Sequence, residues 1–139
     1  MNLYLDTSVL LRLVLGEAGA LALSTVRRAE RLVSSELLAV ESRRTIDRLR
    51  VLGGLSHDEA AKRLTVVAGW LDAVDLVLLR PPILARASEP LPVALGTLDA
   101  LHLATALIWR DRMDQPLTMA THDQTLGQAA RAFGFDVLE

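Results

Sequence analysis

Short apolar runs of strand length alternate with longer helical runs along this chain of 139 residues, and this alternation constrains the fold more than any other feature. Parallel strands need a crossover between them, so strands separated by helices predict a parallel sheet with helices on both faces. We therefore expect an α/β protein with a mainly parallel sheet of about five short strands. Ligands of such sheets bind at the carboxyl ends of the strands, where we expect the chemistry.

Local signals mark the ends of the predicted elements. Five strands are predicted over residues 3–5, 31–33, 76–79, 117–121 and 135–138. Seven helices are predicted over residues 9–15, 18–29, 36–52, 56–74, 83–87, 97–110 and 123–133. Gly16 and Gly134 stand where helices should end. Ser56 and Glu59 have the spacing of a capping box, and Thr97 is expected to cap its helix.

Composition favours one domain and excludes several classes of protein. With 51% hydrophobic residues the chain can bury a core without disulfides, so we expect a single domain over residues 1–139. The absence of cysteine excludes zinc ribbons and cysteine nucleophiles and fits a reducing compartment, so we expect the cytoplasm. The apolar runs are too short to cross a bilayer and the first residues lack the basic start of a signal peptide, so neither membrane insertion nor export is expected.

Two aspartates follow predicted strands. Asp6 ends the first strand and Asp123 closely follows the fourth. A parallel sheet would bring both to the same edge, because the carboxyl ends of its strands meet there. For either residue alone, the simpler interpretation is an N-cap that satisfies free backbone donors.

Two further acids lie where apolar residues are expected. Glu41 falls within the apolar stripe of a long helix, either as a functional acid or as a rim residue paired with Arg44 or Arg48. Asp99 lies in the first turn of a helix that is apolar almost all round, where the helix dipole alone could account for it.

Four carboxylates in one cleft would repel each other and raise their own pKa values unless a cation lay between them. Oxygen donors without cysteine suit Mg²⁺ or Mn²⁺ far better than zinc. Mg²⁺ often completes its shell with substrate phosphate, so phosphoryl chemistry is the natural extension.

Four segments carry a resemblance to a known family. They are residues 5–10 (Leu-Asp-Thr-Ser-Val-Leu), residues 35–41 from Ser35 to Glu41, residues 97–106 (Thr-Leu-Asp-Ala-Leu-His-Leu-Ala-Thr-Ala) and residues 121–123 (Thr-His-Asp). With these segments the sequence resembles the PIN-domain ribonucleases, and specifically the VapC-like toxins of type II toxin-antitoxin pairs.

The resemblance implies a three-layer α/β/α sandwich, a Mg²⁺- or Mn²⁺-dependent endoribonuclease, a VapB-like antitoxin that blocks it, and a homodimer. The family's catalytic acids and metal ligands fall on Asp6, Glu41, Asp99 and Asp123, with Asp6 and Asp99 as the principal ligands. Its supporting polar residues fall on Thr7, Ser8 and Thr121. The expected reaction is metal-assisted hydrolysis of an RNA phosphodiester bond.

Contacts to RNA are less specific in the sequence. Arg43, Arg44 and Arg48 share a helix with Glu41 and could bind phosphates, or they form a solvated basic face offset by Asp47. A second arginine cluster lies at residues 27–31. His102 and His122 are expected to pack or to form hydrogen bonds rather than to act as general bases, and both tryptophans are expected in the core or an interface.

Other interpretations remain open. A receiver-like phosphoacceptor domain also places acids at strand ends, but it needs a lysine there, and the only lysine, Lys62, lies inside a predicted helix. The first strand lacks the Asp-x-Asp of haloacid-dehalogenase-type phosphatases. A module that binds RNA or a partner without cleavage, and a PIN nuclease of RNA processing outside a toxin-antitoxin pair, remain as alternatives.

Overall fold

All five strands of the protein belong to one parallel sheet. The computed structural model describes residues 1–139, and the strands run in the order β3-β2-β1-β4-β5. The strands are β1 (Asn2–Leu5), β2 (Arg31–Ser35), β3 (Asp75–Val77), β4 (Thr118–Ala120) and β5 (Val137–Leu138). The helices are α1 (Thr7–Leu15), α2 (Leu23–Arg27), α3 (Leu37–Val51), α4 (His57–Ala73), α5 (Pro81–Ala87), α6 (Thr97–Met113) and α7 (Gln124–Ala132).

Each face of the sheet carries its own hydrophobic core, because successive strand residues point to opposite faces. Leu3 and Leu5 of β1 pack with buried residues of α1, α2, α3 and α4. Tyr4, between them, packs on the other face with α6 and α7. The predicted α/β/α sandwich with a parallel sheet is confirmed.

The order of the strands reverses at β1. The chain moves from β1 outward through β2 and β3, and then returns to place β4 on the other side of β1. In register, Leu5 lies beside Ala120, and the N–H of Asp6 donates to the carbonyl of Ala120. The switch point of the sheet therefore lies at the carboxyl ends of β1 and β4, which is the usual position of a ligand site in an open parallel sheet.

Two predicted helix signals have the expected geometry. Gly16 follows α1 in the left-handed conformation with φ +67°, which glycine adopts without a steric penalty. At the start of α4, the Ser56 side chain accepts the N–H of Glu59, and the Glu59 carboxylate accepts the N–H of Ser56. This capping box satisfies two backbone donors that the helix itself leaves free.

The prediction of a long second helix over residues 18–29 was wrong. Only Leu23–Arg27 is helical. Gly19 has φ +76°, which breaks the helical path, and the N–H of Leu21 donates to the His122 ring instead of to a helical carbonyl. Residues 17–22 thus form a loop that is tied to the segment after β4.

Other boundaries differ by a few residues. Gly96, not Thr97, is the N-cap of α6, and no side chain caps that helix. The helix also runs to Met113, past the expected end at residue 110. The strand predicted over residues 76–79 spans Asp75–Val77. It ends early because the N–H of Leu79 donates to the Glu36 carboxylate and not to a neighbouring strand.

No helix is both long and apolar enough to cross a membrane.

Candidate active site

Asp6 lies at the end of β1 and is almost completely buried, with 4% of its surface exposed. Its carbonyl accepts the first N–H groups of α1, but its side chain does not cap the helix. Instead, Oδ2 accepts hydrogen bonds from Ser8 Oγ at 2.6 Å and from Thr121 Oγ1 at 2.8 Å. The N-cap interpretation of the Asp6 side chain was therefore wrong, and both hydroxyls belong to a network around this carboxylate.

Asp123 lies at the same edge of the sheet, shortly after β4 as Asp6 lies directly after β1. It is the N-cap of α7, and its Oδ1 accepts the N–H of Leu126 at 2.8 Å. The backbone N–H of Asp123 donates to Thr121 Oγ1 at 3.0 Å. For Asp123 the N-cap interpretation is confirmed, and the hydroxyl of Thr121 joins this residue to Asp6.

Glu41 faces the same site from α3 rather than pairing with arginines of its own helix. Its Oε1 accepts a hydrogen bond from Thr7 Oγ1 at 3.1 Å and lies 2.6 Å from His102 Nε2. Arg44 pairs with Asp47 at 2.9 Å and Glu41 pairs with neither Arg44 nor Arg48, so the alternative interpretation of Glu41 as a rim residue paired with one of them does not hold. The real partners are 34 and 61 residues away in sequence.

Asp99 is the only one of the four acids that no other residue holds. It is partly buried in the first turn of α6 and forms no hydrogen bond or ion pair. Burial, followed by the negative charges of Asp123 and Asp6, raises the pKa of Asp99 to about 6. Asp99 is thus close enough to the other three acids for their charges to act on it.

Each of the other three acids is held through one oxygen only. Asp6 Oδ2, Glu41 Oε1 and Asp123 Oδ1 accept the hydrogen bonds described above, while their second oxygens accept none. No buried side-chain nitrogen or oxygen lacks a hydrogen-bond partner, so these free oxygens are open to solvent. The protein fixes the orientation of these carboxylates and leaves oxygen atoms available to a ligand.

His102 and Tyr4 form a second layer beneath the acids. His102 is fully buried on α6; its Nδ1 lies 2.8 Å from the Tyr4 hydroxyl and its Nε2 faces Glu41. Burial opposes the charged ring, but the hydrogen bond with Glu41 and the charges of Asp6, Glu41 and Asp99 outweigh it and raise the pKa of His102. The hydrogen-bonding role expected for His102 agrees with this geometry. Tyr4 was missed, because an aromatic residue in a buried strand gives no functional signal in the sequence.

His122 links the loop over residues 17–22 to the start of α1, and its ring forms no hydrogen bond with any of the four acids. Its Nε2 accepts the N–H of Leu21, and its backbone N–H donates to Ser8 Oγ. Burial and the nearby Arg12 lower the pKa of His122, which keeps the ring neutral and able to accept this bond.

The three arginines predicted to bind RNA differ in their surroundings. Arg44 is paired with Asp47, whereas Arg43 and Arg48 are exposed and form no ion pair. Seven residues after Glu41, Arg48 returns to nearly the same face of α3, about 10 Å along the helix axis. Arg43 lies on a different face. Trp109 is buried in a hydrophobic core, and Trp70 lines a groove beside α4.

The donor set fits a hard divalent cation. No three of the carboxylate and histidine side chains surround a common point closely enough to hold a metal ion by themselves. Mg²⁺ needs less than this, because it is often bound through one or two carboxylates and keeps several waters. The free oxygens could bind such an ion, and its charge would offset the repulsion that contributes to the raised pKa of Asp99. The acids line none of the surface grooves, so the site is an open edge.

A comparison with protein families identifies the class. The family profile described as "PIN domain" matches residues 3–129, which includes all four acids. The chain belongs to the PIN-domain family, and the resemblance seen in the sequence motifs is confirmed.

Two relatives come from Mycobacterium tuberculosis. The chain is 32% identical to Ribonuclease VapC47 of strain CDC 1551 / Oshkosh, in an alignment covering 96% of this chain and 93% of that protein. It is also 32% identical to Ribonuclease VapC46 of strain ATCC 25618 / H37Rv, over 98% of this chain and 95% of that protein. Both relatives are named as ribonucleases.

Proposed function

We propose that this protein is an endoribonuclease that depends on Mg²⁺ or Mn²⁺. The observation that carries the proposal is the group of four acids at the carboxyl ends of β1 and β4, in which three carboxylates are each held through one oxygen and Asp99 is held by none. The ribonuclease names of the relatives support the same activity.

The four acids have different tasks in this proposal. Asp6 and Asp99 are the principal ligands, because Asp6 is rigidly oriented by Ser8 and Thr121 and Asp99 has both oxygens free. Glu41 and Asp123 complete the shell or orient water. A bound divalent cation would supply an activated water and neutralise charge on the phosphate. Thr7, Ser8 and Thr121 act through the carboxylates that they contact.

An extended RNA strand would fit an open edge better than it would fit an enclosed pocket. Arg48 is the best placed of the three helix arginines, because it is exposed, unpaired and on the Glu41 face of α3. Guanidinium groups bind phosphates in this manner without reading the sequence. Arg44, held by Asp47, contributes less in this proposal.

We also propose that the protein is the toxin of a type II pair and that a VapB-like antitoxin covers it. A groove of about 560 Å³ runs between α2, β2 and α4, with Val26, Leu32, Val66 and Trp70 in its apolar lining. An amphipathic helix of the antitoxin would fit such a groove. Where a small gene lies directly upstream, co-purification with its product tests this; Val66→Glu should abolish capture, and Val51→Glu, outside the groove, should not.

Cleavage of a panel of structured RNAs, including transfer RNAs, tests the activity. The wild type is assayed with Mg²⁺, with Mn²⁺ and with EDTA, beside Asp99→Asn and a matched control, Asp72→Asn. Asp72 is exposed on α4 and has no partner, so the control makes the same chemical change outside the site. We expect metal-dependent cleavage by the wild type and the control, and none by Asp99→Asn. Cleavage retained in Asp99→Asn, after a mock purification has excluded a contaminating nuclease, would contradict the assignment.

Metal titration separates the nuclease from a module that binds RNA without cleavage. Failure to bind Mn²⁺ would exclude the metal-dependent site and leave the binding module. Light scattering on the purified protein tests the homodimer that the family resemblance implies.

A further inference from the structure

The buried pair Tyr4 and His102 lies directly behind Glu41. The Tyr4 hydroxyl accepts the N–H of Ser35 at 3.1 Å, which anchors it to β2, and lies 2.8 Å from His102 Nδ1. The rings meet edge to face, with centroids 5.9 Å apart. The imidazole is therefore fixed both in position and in rotation.

The other ring nitrogen is surrounded by acceptors. His102 Nε2 lies 2.6 Å from Glu41 Oε1, 3.3 Å from Thr7 Oγ1 and 3.9 Å from Asp6 Oδ1. With two carboxylates around it, this nitrogen carries a proton and donates to Glu41. One ring thus links β1, α3 and α6, the elements that supply Tyr4, Glu41 and Asp99.

We infer that His102, oriented by Tyr4, is a positioning residue that holds Glu41 through Oε1 and leaves Oε2 free for the metal. The inference rests on the proposed function, because Glu41 is a ligand only there. Without this bond Glu41 would keep only the hydrogen bond from Thr7, and its long side chain could turn to solvent. His102 touches neither RNA nor metal in this arrangement. Outer residues that orient a ligand typically change metal affinity or activity by about 10- to 100-fold when they are replaced.

Two substitutions of His102 separate its two contacts. In His102→Gln the amide nitrogen reaches about as far as Nε2 and can still donate to Glu41. In His102→Asn the amide reaches only as far as Nδ1, so the contact with Tyr4 can be kept while Glu41 is released. Both variants lose one buried contact, which makes each a control for the stability of the other.

The experiment measures Mn²⁺ affinity by titration and RNA cleavage by steady-state kinetics on the full chain. We expect His102→Asn to weaken Mn²⁺ binding and lower kcat by about 10- to 100-fold with an unchanged KM, while His102→Gln retains most of both. Tyr4→Phe, which keeps the ring but frees the imidazole, should fall between them. It also serves as the test if His102→Asn does not fold.

A double-mutant cycle shows whether His102 acts through Glu41. In a Glu41→Gln background, the further change His102→Asn should have no additional effect on Mn²⁺ affinity. Equal losses in His102→Asn and His102→Gln, or full additivity in the cycle, would overturn the positioning role and leave the proposed nuclease intact.

The behaviour of the wild type separates this inference from the proposed function. A wild type that binds Mn²⁺ but does not cleave RNA would contradict the proposed function, and the Mn²⁺ affinities of the variants would still decide the role of His102. A wild type that binds no Mn²⁺ would overturn both.

Discussion

The hydroxyl of Thr121 lies 2.8 Å from Asp6 Oδ2 and accepts the backbone N–H of Asp123 at 3.0 Å. A single buried side chain thus connects the acid at the end of β1 with the acid at the start of α7. Its position directly after β4 places it beside Asp6, which directly follows the neighbouring strand β1. One oxygen atom therefore links two acids of the candidate site, in addition to the pairing of β1 with β4.

Replacement of Thr121 by valine should cost both stability and activity. Valine has nearly the same shape, but it leaves the N–H of Asp123 without its acceptor and Asp6 without one donor. We expect the free energy of unfolding to fall by about 1–3 kcal/mol. Cleavage should fall by about 10- to 100-fold, because Asp6 is less firmly oriented. Urea denaturation and the RNA cleavage assay measure the two effects.

The matched control is Thr121→Ser, which keeps the hydroxyl and removes only a methyl group. The free energy of unfolding of this variant should fall by about 1 kcal/mol or less, and the variant should retain RNA cleavage. A serine variant as inactive as the valine variant would show that packing of the methyl group, not the hydrogen bonds, is what the site needs.

Replacement of Asp99 by asparagine should stabilise the protein when no metal is present. The pKa of Asp99 is about 6 in the folded protein and 3.8 ordinarily, so between these values the folded state holds a proton that the unfolded chain has released. The free energy of unfolding therefore falls as the pH rises from about 4 to about 6 and stays lower above that range. Because Asp99 is only partly buried, we expect Asp99→Asn to raise the free energy of unfolding by only on the order of 1 kcal/mol at neutral pH in EDTA.

The difference between Asp99→Asn and the wild type should vanish well below pH 3.8, where Asp99 is protonated in both the folded and the unfolded state. It should reverse with excess Mn²⁺, since the cation stabilises the folded wild type by binding to it. Thermal unfolding at several pH values, with EDTA and with Mn²⁺, tests this. Equal stabilities of wild type and variant in EDTA at neutral pH would mean that neither burial nor the neighbouring carboxylates destabilise the charged form of Asp99.

Loss of the capping box at the start of α4 should affect stability alone. Ser56→Ala removes the acceptor of the Glu59 N–H, which typically costs about 1 kcal/mol. The box lies at the start of α4, and none of the site contacts involves it, so kcat and Mn²⁺ affinity should not change. A parallel loss of activity would indicate that cleavage follows global stability, and it would weaken the interpretation of every site variant.

The convergence of the acids could be predicted because it depends on topology. Asp6 and Asp123 each follow a strand, and the strands of a parallel sheet bring their carboxyl ends together whatever their separation in sequence. Glu41 and Asp99 stood out because an acid on an apolar helical face needs an explanation. The patterns of strands and helices in the sequence are therefore enough to predict which elements converge at the site.

The partners of these acids could not be predicted in the same way. The sequence suggested arginines one or two turns from Glu41, because local pairs are the ones that spacing reveals. The actual partner, His102, comes from another helix, and its own partner, Tyr4, lies inside an apolar strand. The length of the second helix was overestimated for a related reason. The N–H of Leu21 donates to His122, which lies 101 residues away in sequence, instead of to a carbonyl within a helix.

Arg48 should contribute more to RNA binding than Arg44. Arg48 is exposed and unpaired on the Glu41 face of α3, while Arg44 is already bound to Asp47 at 2.9 Å. We expect Arg48→Ala to raise KM without a change in kcat and to reduce the slope of log affinity against log salt by about 1, the signature of a lost phosphate contact. Arg44→Ala should change the slope much less. RNA binding by the inactive Asp99→Asn protein at several salt concentrations measures the slope, and equal slopes for all variants would place the RNA elsewhere than along α3.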